Sequence, residues 1–170
     1  EYKKKSIGIM YVGNWTNDLF DGLGTYYWAD GTSYEGEFSK GVIHGKGTLK
    51  RASGEVYTGY FVNSIKQGRG KNLWANGDYH VGYWWNGQLN GRGKYTWKNG
   101  AVFDGKFKNG LRSGKSIERY AEGSTYEGLW REGKVYSSGI FTTILGVPIE
   151  GKWNDEKLLA ARNEDIKNSN

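Results

Sequence analysis

Residues 34–56 read YEGEFSKGVIHGKGTLKRASGEV, and the chain then starts over: YTGYF (57–61) repeats YEGEF (34–38) after 23 positions. The stretch sets strand-forming aromatics beside Gly36, Gly41, Gly45, Gly47 and Gly54. Glycine inside a strand weakens it, so its regular return calls for a structural reason. From Tyr11 onward a frame of 23 runs without insertion: YVGNW (11–15), YEGEF, YTGYF, HVGYW (80–84), FDGKF (103–107), YEGLW (126–130) and IEGKW (149–153). A fixed period of this length marks a repeat architecture.

Each unit carries a second signal in its middle. Gly22-Leu23-Gly24, Gly45-Lys46-Gly47, Gly68-Arg69-Gly70 and Gly91-Arg92-Gly93 give way to Gly114-Lys115-Ser116 and Ser137-Ser138-Gly139. Units end on Asp30-Gly31, Ser53-Gly54, Asn76-Gly77 and Asn99-Gly100, then on Glu122-Gly123 and Leu145-Gly146. Run backwards, the frame makes residues 1–10 the second half of an earlier repeat. Either the array opens on a half repeat, or a longer array extends before Glu1.

Each unit reads as a β-hairpin. The first strand is aromatic-x-Gly-x-aromatic with period 2. A turn follows at Lys40-Gly41, Asn86-Gly87, Asn109-Gly110 or Glu132-Gly133, and a second strand follows the Gly-x-Gly. Asn-Gly and Asp-Gly suit tight hairpin turns because glycine accepts positive φ. Pairing Trp28 with Tyr34 across the turn sets Tyr26 opposite Gly36 and Phe38 opposite Gly24. In that register every strand glycine lies under a cross-strand aromatic ring. The fold class expected is all-β: an elongated, single-layer antiparallel sheet of stacked 23-residue hairpins. About fourteen strands at roughly 4.8 Å spacing would make a ribbon about 60 Å long, twisted into an aromatic-lined groove. The array covers 1–153: a half repeat at 1–10, repeats from 11, 34, 57, 80, 103 and 126, and a partial repeat at 149–153. Residues 154–170 form a short capping helix and tail, with Asn154 as N-cap. Leu158, Leu159 and Arg162 share one side of it, and the helix is expected to cover the open edge of the last hairpin.

Composition narrows the function. Among 170 residues there are 28 Gly, 13 Tyr, 8 Trp and no Cys, so disulfides and thiolate metal sites are excluded. No run approaches the roughly 18 apolar residues of a membrane span. The net charge of +6 favours acidic partners without naming one.

YEGEF followed by KGVIHGKGTL resembles the MORN repeat (membrane occupation and recognition nexus), over about 150 residues ending at Trp153. Choline-binding repeats are also Gly- and aromatic-rich, but their unit is shorter and carries a Trp-Tyr-Tyr-like signature. Here Tyr26-Tyr27-Trp28 occurs once. The resemblance implies an elongated sheet that binds other proteins, as a scaffold or as the targeting arm of a larger protein. It places the chain in the cytoplasm, at the cytoskeleton or at the inner face of a membrane, and carries the family's association with phosphoinositides. The chain departs from the pattern at His80, Ser116, Ser137 and Ile149.

No residue pattern points to catalysis, a cofactor or a metal. His44 and His80 stand without a Ser, Asp or Cys constellation, and Gly-x-Gly recurs without the Lys-Ser/Thr of a phosphate loop. Any catalysis belongs to a domain outside this chain. Two candidate surfaces remain. A partner-binding groove is expected at Trp28, Trp74, Trp97 and Tyr120, beside the terminal turns, with Tyr57, Phe61 and Trp84 along the column. Its ligand is an extended or helical segment of another protein, since Trp and Tyr make binding anchors. A basic ladder of Lys46, Arg69, Arg92 and Lys115 is expected to meet an acidic partner or anionic lipid. Nucleic acid is set aside, because nothing resembles a groove-reading element. A homo-oligomer is compatible with the sequence.

Overall fold

Two kinds of turn build the molecule. At Lys40-Gly41, Asn109-Gly110 and Glu132-Gly133 both turn residues have positive φ, 49° and 85° in the first case. Ser39 pairs with Val42, Lys108 with Leu111 and Arg131 with Lys134 across them. These are two-residue turns of type I′, whose twist matches that of the strands they join. The other turn is longer by one residue. The N–H of Trp28 donates to the carbonyl of Thr32 (2.9 Å) and that of Gly31 to Trp28 (3.1 Å), with Gly31 at φ 90°. The same pair of bonds recurs at Arg51, Trp74, Trp97, Tyr120 and Thr143. The Asp or Asn before the glycine serves this loop: Asp30 Oδ1 accepts from Thr32 N–H, Asn76 Oδ1 from Asp78, and Asn99 Oδ1 from Ala101.

The computed structural model describes residues 2–6 and 8–169. Glu1, Ile7 and Asn170, which the expected half repeat and tail include, lie outside the described residues. The chain divides into two units. The first holds β1 (Tyr2–Ser6), β2 (Ile9–Thr16), β3 (Leu19–Tyr27), β4 (Ser33–Ser39), β5 (Val42–Lys50), β6 (Val56–Val62), β7 (Ile65–Leu73) and β8 (Tyr79–Trp85). The second holds β9 (Gln88–Thr96), β10 (Val102–Lys108), β11 (Leu111–Arg119), β12 (Thr125–Arg131), β13 (Lys134–Thr142), β14 (Pro148–Trp153) and the helix α1 (Asp155–Ser169). Within each unit every strand pairs antiparallel with its neighbours in sequence, as the hairpin reading requires. Asn154 is the helix N-cap, its Oδ1 accepting from Lys157 N–H at 2.8 Å.

The register corrects the sequence expectation by two residues. Trp28 closes on Thr32, so Tyr26 faces Tyr34, Gly24 faces Gly36, and Phe38 faces Gly22. Glycine therefore meets glycine: Gly36 with Gly24 on one side and Gly47 on the other, Gly59 with Gly47 and Gly70. The ring over them belongs to the leading tyrosine of the same repeat. A Cβ on Gly24 or Gly47 would overlap the ring of Tyr11 or Tyr34 respectively. Aromatic cover of strand glycine is real, but Tyr26 and Phe38 do not provide it.

The first glycine of each Gly-x-Gly has another task. Between Gly36↔Gly47 and Phe38↔Ile43 the register shifts, and Gly45 sits in the bulge at φ 68°. Bulges of this kind use a glycine in the left-handed region. Ser137 takes that place in the sixth repeat and holds φ 73° despite its side chain.

The fifth repeat solves the same packing differently. Phe103 replaces tyrosine and Ser116 replaces the covered glycine. Tyr11, Tyr34 and Tyr57 donate to the carbonyls of Asn14, Glu37 and Tyr60 at 2.9–3.1 Å. Phe103 has no hydroxyl to give. Ser116 Oγ instead accepts from Lys106 N–H at 3.2 Å and donates to the carbonyl of Ser113 at 3.4 Å.

Candidate functional site

Alternation along the strands sends Tyr34, Gly36 and Phe38 to one face of the sheet and Glu35 and Glu37 to the other. On the aromatic face each leading tyrosine or phenylalanine makes an edge contact within its own strand and another with the following repeat. Tyr34 meets Phe38 and Phe61 (5.2 and 5.3 Å between centroids), and Tyr57 meets Phe61 and Trp84 (5.0 and 5.3 Å). In the second unit Phe103 meets Phe107 and Trp130, both at 5.2 Å. Each such pair adds about 0.5–1.5 kcal/mol beyond its burial. Burial pushes the phenols of Tyr34 and Tyr57 up to about 12.

These contacts decide the fate of three expected groove residues. Tyr57, Phe61 and Trp84 are 1%, 2% and 5% exposed. They are the core of the sheet and offer a partner almost no surface. Trp28, Trp74, Trp97 and Tyr120, at the long turns, remain half-buried. Trp97 leans on Tyr95 at 4.9 Å and borders a 270 Å³ hollow with Leu89, Phe107 and Leu111.

Tyr120 has an occupant already. Arg162 of α1 stands 3.5 Å from the Tyr120 ring centroid and holds Glu122 with two bonds, at 2.7 and 3.1 Å. Leu158 is buried in a seat lined by Arg112, Glu118, Tyr120 and Val135. Asp155 accepts from Val135 N–H at 3.0 Å and Asp165 from Ile144 N–H at 2.7 Å. The helix thus folds back over the aromatic face of β11–β13. It does not cover the open edge of the last hairpin, where its place in the sequence puts it. Leu158 and Arg162, two of the three residues read as sharing one side of the helix, make the docking contacts, while Leu159 stays exposed.

Two charged pairs on this face escaped sequence reasoning. Lys66 Nζ donates to Glu55 and Asn72, both at 2.7 Å, and lies between the rings of Tyr57 and Trp84 (4.8 and 4.9 Å). Arg112 holds Glu118 at 2.7 Å. The frame did carry a signal. One position reads Phe20, Ile43, Lys66, Leu89, Arg112, Val135, and another reads Tyr26, Leu49, Asn72, Tyr95, Glu118, Phe141. Both positions turn polar in the same two repeats. Burial raises the Glu118 carboxyl above its usual range even against Arg112 and Arg162. Burial also raises Glu55, but the Lys66 hydrogen bond and the charges of Lys66 and Arg51 outweigh it, so its pKa is lowered.

His80 takes the place of a leading tyrosine. It is fully buried, meets Trp84 edge-on at 5.8 Å, and has its pKa pushed down to about 4 by desolvation. A neutral packed imidazole is the result. The basic ladder stands on the opposite face: Lys46, Arg69, Arg92 and Lys115 are all exposed there. Lys46 Nζ lies 5.3 Å from the Tyr60 centroid and Lys115 pairs with Glu127 at 3.0 Å. Within each unit the groove residues and the ladder therefore belong to different surfaces.

The MORN repeat model matches residues 11–33, 34–56, 57–79, 80–102 and 103–125, five consecutive units in the frame described above. The chain belongs to the MORN repeat family. Among curated proteins no match is found. Among solved structures the array is similar to the TCP domain of Drosophila melanogaster SAS-4 in complex with a proline-rich motif of Ana2. The identity is 12%, 91% of this chain and 94% of that one are covered, and the TM-score is 0.46. The TCP10c domain of Drosophila melanogaster Sas-4 follows at 18% identity, with 88% and 98% covered and a TM-score of 0.43. A mutant TCP10 domain of Danio rerio CPAP gives 11% identity, 90% and 100% coverage and a TM-score of 0.27.

Proposed function

We propose that this MORN array is a non-catalytic interaction module, a scaffold or the targeting arm of a larger protein. It takes a segment of a partner protein along the half-buried row of the aromatic face. The observation that carries this reading is the seat of α1. There the chain lays a helix of its own on that face, with Leu158 buried beside Tyr120. Trp97 holds the same frame position one repeat earlier and borders the hollow next to that seat, the two sharing Arg112. An amphipathic helix that sets an apolar side chain into such a hollow is a recurrent mode of recognition. The charged groups of the face are engaged with one another, Lys66 with Glu55 and Arg112 with Glu118. They shape the surface and leave it largely apolar.

A photo-crosslinking phenylalanine analogue placed at position 97 or 74, with a control in the turn at position 109, tests the reading in cell extract. Protein adducts concentrated at the first two positions support it. Adducts no richer there than at the turn overturn it.

A further inference from the structure

We propose, on the partner-binding reading given above, that α1 is a tethered copy of the partner's own segment. That segment is then a helix with an acidic residue, a leucine, an arginine and a second acidic residue at positions i, i+3, i+7 and i+10. In α1 these positions are Asp155, Leu158, Arg162 and Asp165. Such spacing sets them along one face of a helix, and each of them meets the sheet. Asp155 accepts from Val135 N–H at 3.0 Å and Asp165 from Ile144 N–H at 2.7 Å. Leu158 is 3% exposed in its seat, and Arg162 lies on the Tyr120 ring while it holds Glu122 at 2.7 Å.

Outside that stripe α1 is held lightly. Lys157 donates to the carbonyl of Lys152 at 3.0 Å, and Leu159 is 55% exposed. Of the 15 residues of the helix only Leu158 and Asp165 are buried. The ion pair at its middle lies at the rim of the seat, within reach of water. A segment that buries so little apolar surface opens at a far lower free energy than the strands beneath it. α1 is a strap that lifts while the sheet stays folded.

A tethered helix competes at high effective concentration, so a free one needs a further anchor to replace it. The repeat supplies the place for that anchor. The seat of Leu158 is lined by Arg112, Glu118, Tyr120 and Val135. Their counterparts 23 residues earlier are Leu89, Tyr95, Trp97 and Arg112. Those four line the 270 Å³ hollow next to the seat, and no residue of α1 lines it. Two equivalent seats thus lie side by side, and the chain fills one of them itself. A partner helix that sets its leucine in the first and a second apolar side chain in the hollow takes two anchors where α1 takes one.

The probe is a fluorescein-labelled peptide of residues 154–169, titrated by anisotropy. A hydrocarbon staple between positions 159 and 163, both exposed, holds it helical. Full chains carrying Leu158→Asp or Arg162→Glu, each of which loosens the strap, should bind it saturably. The parent, its seat already filled, should bind it about tenfold or more weaker. Leu158→Asp or Arg162→Glu in the peptide should cost about tenfold or more on the same chains, and so should Glu122→Gln added to the Leu158→Asp chain. Melting curves establish that each chain is folded, and the Arg162→Glu chain, which keeps its leucine, serves where Leu158→Asp does not fold. Equal binding by parent and loosened chains, no binding by a folded loosened chain, or peptide variants that bind like the native peptide overturn the proposal. Crosslinking at position 97 asks separately whether the face takes a partner at all, so either result can fail without the other.

Discussion

The ring of Tyr34 on β4 lies over Gly47 on β5, so close that a Cβ there would overlap its hydroxyl and ring carbons. Gly47 is therefore a place left for Tyr34. The same relation joins Tyr57 to Gly70 and Tyr126 to Gly139. Gly47→Ala should cost on the order of 1–3 kcal/mol through overpacking. The protein itself holds the remedy, in Phe103 and Ser116. Gly47→Ser alone should destabilise, and Gly47→Ser combined with Tyr34→Phe should recover much of the loss. Denaturant unfolding of the two single variants and the double variant measures the coupling. Strictly additive effects would contradict the proposed exchange of hydroxyls.

Arg112 and Glu118 give a second test. With Glu118 only 7% exposed, Arg112→Leu strands a buried carboxyl and should cost on the order of 3–5 kcal/mol. Arg112→Leu with Glu118→Tyr installs the Leu89–Tyr95 pair of the preceding repeat. That double variant should match or exceed the parent, since apolar replacement of a buried pair is often neutral or stabilising. A double variant as unstable as Arg112→Leu would show that the ion pair is needed for more than its own neutralisation.

How much of this was legible in the residues is clear from these same positions. Period, hairpins and strand pairing followed from glycine and aromatic spacing alone. The register did not, because it hinges on one loop residue. Asp30-Gly31 suits several turn lengths, and only the closure of Trp28 on Thr32 sets Gly24 opposite Gly36. The half-buried row was readable as turn-flanking aromatics. The burial of Tyr57, Phe61 and Trp84 was not, because it comes from edge contacts between successive repeats. The fold-back of α1 was hidden too. Its polar anchors, Asp155, Arg162 and Asp165, look like ordinary helix surface until their partners 20 to 40 residues away are known.

Acid should weaken the fold through His80. Its folded pKa of about 4 lies below the ordinary imidazole value of 6.5. Between those values the unfolded chain binds the proton that the folded chain refuses. Stability is then fully present above about pH 6.5 and falls as pH drops toward 4, by about 3 kcal/mol from this group alone. His80→Tyr, which restores the leading residue found at Tyr34 and Tyr57, should flatten the pH dependence within that window. An unchanged slope from pH 6.5 to 4 would assign the acid sensitivity to other groups.

The half-buried row and the buried rings make opposite predictions under the same substitution. Trp97 is held by Tyr95 and borders an open hollow, whereas Tyr57 is 1% exposed and touches Phe61 and Trp84. Tyr57→Ala should cost about 3–5 kcal/mol of folding stability, as large aromatic deletions in cores do. Trp97→Ala should leave much more of the stability in place. It should instead cost on the order of 2 kcal/mol or more in affinity for a partner segment that uses it as an anchor. Melting curves and titrations on the same two variants read the contrast directly. Normal partner binding by a folded Trp97→Ala variant would remove that residue from the site. Loss of binding in step with loss of folding would return it to the core with Tyr57.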